Sequence, residues 1–383
     1  GIAGDALTDA DRNVAIGTQA LSADTLGSKS IAIGDAALRT QNFTTATDTF
    51  NVAVGHNAGL AVTTAIKNTL IGGLAGDGIS SGDGLNVAVG FGALGASSNT
   101  TQENVAIGVD ALSTEDGHGR NVAVGFEALK TLNAGALGLN TAVGQQAGKA
   151  VTTGVQNTFI GALAGDALND ADFNVALGFA TLSNDTRGSK STAIGYAALN
   201  SQNFTTATDS ENTAVGFQSG MVITTGVKNT FVGSRSGVAT TDADFNVAFG
   251  VQALTTNVLG SQSTAIGTGA LATQNPSTAT DMLNTAVGFD AGVAVTTGIR
   301  NTLIGGLAGA ALTTGGTNTA VGRNAANALT EGTNNTFIGD NSGATITTGG
   351  NNTILGRYNG NQGGLNIRTT DNYIVLSDGN GNP

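Results

Sequence analysis

One pentapeptide governs this chain. It is Asn-Val-Ala-Ile-Gly at Asn13–Gly17, and it returns with conservative changes in twenty copies, the last at Asn352–Gly356. The spacing is mostly 17 residues, sometimes 18 or 19, and 21 at three places. A fixed period of this length constrains the fold more than any local propensity. Each copy must be one supersecondary unit that cannot bury its apolar face alone, so copies must stack.

The pentapeptide alternates, which is a strand signal. Position four is large and apolar (Ile16, Ile33, Val54, Ile71, Leu177, Phe249), so it is expected to point into the core. Position two is mostly Val or Thr, β-branched residues suited to a half-buried site on the same face. Gly closes the strand. A small residue, then Leu or Gly, then a stretch rich in Thr, Ser, Asn, Asp and Gly mark turns. Two short strands and two turns in about 17 residues leave no room for a helix. The expected fold is all-β: a parallel β-solenoid or β-roll of about 20 rungs.

The leading residue is Asn in all but three copies, where Ser30, Ser191 and Ser263 stand. Its fixed phase predicts an amide ladder along the stack. The column includes Asn13, Asn51, Asn68, Asn104, Asn121, Asn157, Asn174, Asn212, Asn229, Asn246, Asn284, Asn301, Asn318, Asn335 and Asn352. The 21-residue steps begin alike, at Gln41-Asn42-Phe43, Gln202-Asn203-Phe204 and Gln274-Asn275-Pro276. Four coils thus form a duplicated block, clearest at 13–72, 174–233 and 246–305. The repeat predicts one elongated body over 1–356 and a departure from it over 357–383, a link to a further C-terminal region. Rungs about 4.8 Å apart would give a rod on the order of 95 Å. Gly1–Leu7 matches the inside of a later coil, Leu163–Leu168, so the chain is expected to start in mid-repeat.

With a formal charge of −12 and few, scattered basic residues, nucleic acid and anionic membranes are not the expected partners. No apolar run approaches a membrane span, so this segment is not expected to insert. There is no Cys, which excludes disulfides and thiolate metal sites.

Position three faces the other way from position four. It is usually Ala, but Leu70, Phe159, Phe231, Leu303, Phe337 and Ile354 recur there. A column of large apolar side chains on the outer face marks an interface. Leu70, Phe159, Phe231, Leu303 and Phe337 are the expected contacts between identical chains in a closed cyclic assembly. The competing reading folds a turn over them within one chain.

The Asn-Val-Ala-Ile-Gly motif resembles the head repeats of trimeric autotransporter adhesins of the YadA type. The resemblance covers about 1–356. It implies a left-handed β-roll and a homotrimer. The period here is longer than is typical of those heads, and no heptad stalk follows. Asn212–Gly216 and Asn157–Gly161, with Thr-Thr-Gly turns such as Thr224-Thr225-Gly226, are more similar to repeats in bacteriophage tail fibres. Asp371–Gly379 resembles the segment that precedes an endosialidase-type intramolecular chaperone domain in such fibres.

Candidate chemistry is sparse. His56 occupies a variable position after Gly55, and His118 lies in a Gly-His-Gly turn. No Ser/His/Asp set or metal cluster assembles around them. Asp-Ala-Asp at Asp9–Asp11, Asp170–Asp172 and Asp242–Asp244 offers oxygen ligands for a hard cation, yet also reads as a solvated turn. The acids are scattered, so no pair stands out for glycoside cleavage. A Thr face that matches an ice lattice is disfavoured because position two is expected to face inward. Phe91, Phe126, Phe179, Tyr196, Phe217 and Phe289 follow the repeat glycines and form a candidate sugar-binding or packing stripe. The expected protein is not an enzyme and needs no cofactor. It is a structural attachment fibre of a phage tail, located in the virion, that binds a host glycan or protein receptor. The alternatives are a bacterial cell-surface adhesin head and, further off, a carbohydrate depolymerase.

Overall fold

The computed structural model describes residues 2–82, 84–96, 103–115, 119–135 and 137–383. Among them there is no helix. The chain divides into two units, Gly1–Ser191 with Phe204–Thr208, and Thr192–Asn203 with Asp209–Pro383. Each unit is a parallel β-solenoid with one three-residue strand per turn.

The first unit stacks ten such strands, from Val14–Ile16 to Val175–Leu177. The second stacks eleven, from Thr192–Ile194 to Ile374–Leu376. Each strand pairs with its equivalent one turn on, without slip: Ala15 opposite Ala32, Phe159 opposite Ala176, Thr302 opposite Thr319. The final strand lies within 357–383. It follows an antiparallel hairpin, Asn361–Gln362 with Leu365–Asn366, and pairs with Thr353–Leu355 in the usual register. Tyr373 stands there in the Asn column and Ser377 in the Gly column, so the pentapeptide no longer shows.

The buried Asn column holds turn to turn. Asn51 Oδ1 accepts the backbone N–H of Asn68 at 3.0 Å, while its Nδ2 donates to the Ala65 carbonyl at 2.8 Å. Asn301 does the same with Asn318 N–H, 3.0 Å, and the Gly315 carbonyl, 3.0 Å. One amide therefore pins the start of the next strand and the corner before it. Side-chain to side-chain distances along the column are longer, 3.3 Å from Asn68 Nδ2 to Asn51 Oδ1. The ladder is thus mainly side chain to backbone, which satisfies buried backbone groups that no strand partner reaches.

Serine lacks the second arm, and the chain supplies it from elsewhere. Ser30 still donates its N–H to Asn13 Oδ1 at 2.8 Å. Gln41, from the 21-residue step, donates to Ser30 Oγ at 2.9 Å and accepts from Asn51 Nδ2 at 2.8 Å. Gln274 bridges Ser263 and Asn284 the same way. Buried Asp24 then receives Gly27 N–H and Phe43 N–H, both at 3.1 Å. The third block has Pro276 where Phe43 stands, so one backbone donor is missing. Neutral Asn257 replaces the carboxylate there, as fewer donors would leave a buried charge under-stabilised.

The glycine that ends each strand is a steric requirement. At Gly125 φ is 143°, and an added Cβ would stand 2.2 Å from the Gly144 carbonyl oxygen of the next turn. Backbone packs on backbone there, and only Gly permits it.

The core is narrow and tightly matched. Position three points inward and is Ala in most turns, with Leu94, Leu112 and Leu129 filling the corner four residues after the Gly. These leucines sit at φ near 50°, a left-handed conformation that costs roughly 1 kcal/mol each and is held by the surrounding turns. Where position three is large, the corners become Gly. A Cβ on Gly220 or Gly237 would lie 3.0 Å or 2.7 Å from the Phe231 ring, and Gly148 and Gly165 flank Phe159 likewise. One Phe thus fills the space that two Leu fill elsewhere. Phe231→Ala is expected to cost about 3–5 kcal/mol by opening a cavity. Adding Gly220→Leu and Gly237→Leu restores the Ala-plus-Leu packing of other turns and should recover more than half of that loss in denaturant unfolding.

Candidate binding surface

The orientation of the strands is the reverse of the sequence expectation. Positions one, three and five face in; positions two and four face out. Leu70, Phe159, Phe231, Leu303 and Phe337 are all 0% exposed within a single chain, as is Ile354. They are core residues and cannot be contacts between chains. Alternation defines two faces but not which one is inside. Bulk suggested position four, yet a turn of about 17 residues encloses too little space for a column of Val and Ile. The signal that separates the faces is in the sequence: large residues at position three coincide with Gly, in place of Leu, at the neighbouring corners.

Asn86 and Asn140 belong to the ladder as well. Asn86 N–H donates to Asn68 Oδ1 at 3.2 Å and Asn140 N–H to Asn121 Oδ1 at 3.0 Å. The other named Asn residues occupy the inner column, with Asn13 only half-buried at its start.

In each unit the outer face of the strands is apolar and open. Ile16, Ile71, Ile160 and Leu177 are exposed on the first unit, and Phe249, Ile266, Ile304 and Leu355 on the second, Phe249 at 57%. The residues after the Gly share this face by parity. Phe91, Phe126 and Phe179, and on the second unit Tyr196, Phe217 and Phe289, are exposed on it. Tyr196 and Phe217 stack with ring centroids 5.3 Å apart. The residue before the Asn completes a face four columns wide and adds exposed Phe50, Phe173 and Phe245. That residue adopts positive φ throughout, 52° at Phe50 and 58° at Phe245, which turns its side chain outward at the corner. Lys29 Nζ lies 5.0 Å from the Phe50 ring centre and Lys228 Nζ 5.4 Å from that of Phe245. The Thr column at position two is on this outer face, not in the core. A lattice-matching surface is therefore not set aside by orientation. What interrupts its flatness is Phe, Lys, Arg and Glu along one edge and Phe, Tyr, Asp and Arg along the other.

His56 Nε2 lies 3.6 Å from Asp35 Oδ2, both exposed on the outer face. His118 lies outside the described residues. In two of the three Asp-Ala-Asp turns the second acid clamps the stack: Asp172 Oδ1 accepts Val155 N–H and Asp244 Oδ1 accepts Val227 N–H, both at 2.8 Å. Asp170 faces Arg187 at 3.8 Å. Among the described residues, no three His, Asp or Glu side chains are grouped to hold a metal ion. No helix among them is long and apolar enough to cross a membrane.

The strongest electrostatic feature is a cluster on the first unit. Glu127 receives Lys130 Nζ at 2.8 Å, Lys149 Nζ at 2.7 Å and Gln146 Nε2 at 2.9 Å. Lys130 also reaches Asp110 at 3.1 Å. The Lys130, Lys149 and Gln146 hydrogen bonds hold the Glu127 carboxyl down at about 2. Elsewhere burial raises Asp77 and Asp166 above the usual carboxylate range.

The chain matches no family model, no curated protein and no solved structure.

The Glu127 carboxyl is more acidic folded than unfolded, so its contribution to stability is fully present above its unfolded pKa of about 4.5. It is lost as pH falls from there toward about 2. NMR titration of the Glu127 carboxyl should show this low value, and Lys130→Ala with Lys149→Ala should move it back toward the ordinary range.

Proposed function

We propose that this chain is the shaft of an attachment fibre, a left-handed β-roll in a homotrimer, carried on a phage tail and engaged with a host surface receptor. The observation that carries the reading is the outer sheet face. In each unit it presents successive in-register strands bearing exposed Ile, Val, Leu and Phe, a contiguous apolar face of the kind that marks interfaces. A closed cyclic assembly would cover that face on every copy at once. Self-covering also removes the need for a second protein along the whole stack.

Several features agree with a mechanical role. The core is made from Asn, Gly and Ala columns that repeat in register, and each turn depends only on its neighbours. The buried polar groups described above serve the stack itself. An acidic surface keeps separate assemblies apart. The trimer contacts in this reading are positions two and four with the flanking aromatics, not position three.

Sedimentation and light scattering test the proposal. The expected species is a trimer. Phe249→Glu with Ile304→Glu, both on the exposed face, should shift it to monomer while the far-ultraviolet circular dichroism of a β-protein is retained. A wild-type chain that stays monomeric at micromolar concentration would overturn the reading.

A further inference from the structure

The last turns of the second unit depart from the repeat and build something the other turns lack. Tyr358, fully buried, donates its hydroxyl to the Leu365 carbonyl at 2.8 Å. That bond holds the hairpin of Asn361–Gln362 and Leu365–Asn366 against the stack. Gln362 Nε2 donates to the Asn380 carbonyl at 2.7 Å and ties the hairpin to the chain end. Two adjoining grooves result, of about 360 and 430 Å³, and Ala344 with Thr345 forms a wall of both. Volumes of this size suit a small ligand.

The lining is rich in unspent donors. Asn359 uses its side-chain oxygen to accept Asn361 N–H, and Asn366 uses its own to accept the Arg368 guanidinium at 3.1 Å. Among the described residues the NH₂ groups of Asn359, Asn366 and Asn380 have no protein acceptor. Arg368, on the wall of the first groove, has no carboxylate partner among the described residues. Arg357, on the wall of the second, reaches Asp340 at 3.3 Å, and Arg323 reaches the same carboxylate at 3.0 Å. Two guanidiniums on one carboxylate leave a positive charge over.

A site that offers amide and guanidinium donors and uncompensated positive charge fits a ligand made of acceptors that carries a negative charge. We propose that the paired grooves flanking Thr345 bind an acidic saccharide, its carboxylate on Arg368 and its hydroxyls on the Asn359, Asn366 and Asn380 amides. The proposal rests on the attachment reading and gives it a receptor chemistry. It also places recognition in the one non-repeating element of the second unit, where a unique arrangement of side chains is available.

Isothermal titration calorimetry with the whole chain tests this. The probes are a glucuronate-containing oligosaccharide, its methyl ester and inorganic sulfate. The expected result is saturable binding of the acid form, about tenfold or more weaker for the ester and for Arg368→Ala, as loss of a charge-assisted hydrogen bond predicts. Arg368→Lys should recover part of the loss, which a merely structural Arg would not. No saturable binding, equal binding of the ester, or sulfate alone binding as tightly would overturn the proposal. Sedimentation of the same samples separates the two readings: a monomer that binds the acid form sinks the trimer and leaves the site, whereas a trimer that does not bind sinks the site.

Discussion

Everything in this fold depends on one buried amide per turn. The Asn side chain accepts the N–H that opens the next strand and, in most turns, donates to a carbonyl across the corner. It is fully buried in nearly every turn, so an unsatisfied copy would cost about 1–3 kcal/mol for each stranded group. The left-handed residue just before it, the close glycine contact four residues after it, and the in-register strands between are all fixed by that clamp. Ser30 and Ser263 replace it where Gln41 and Gln274 supply the missing arm. The substitution and the longer step occur together because they are one hydrogen-bonded arrangement.

The second constraint is volume. A coil this narrow admits Ala opposite Leu, or Phe opposite Gly, and little else. This accounts for the abundance of small residues, and it drives the large aliphatic side chains to the outside. The outcome is a chain whose interior sets columns of Asn and Ala beside Leu or Phe, and whose outer strand face is apolar. That apolar outer sheet is the surface the proposed self-association would cover.

Much of this was legible in the sequence. The period predicts a helix-free parallel stack with one strand per pentapeptide, and the phase of Asn places an amide column within it. The inside of the coil was not read correctly. Ile16 and Phe249 look like core residues by size, and Phe159 and Phe231 look like exposed anchors. Parity alone cannot choose between them, whereas the pairing of Phe159 with Gly148 and Gly165 can. Asn86 and Asn140 carry the same signal as their neighbours and belong with them. The strand at Ile374–Leu376 was hidden because Tyr373 and Ser377 replace the two signature residues. The Gln41 relay and the Asn257–Pro276 exchange needed coordinates, since they join residues 10 to 19 positions apart across different turns.

The clamp is best tested at a single amide. Amide hydrogen exchange on Asn301→Ala, read residue by residue, should show the largest loss of protection at Asn318 N–H, which donates to the removed oxygen, with distant turns of the same unit little changed. Protection at Asn318 equal to that in the wild type would contradict the account, because the strand would then be held by something other than the side chain one turn below.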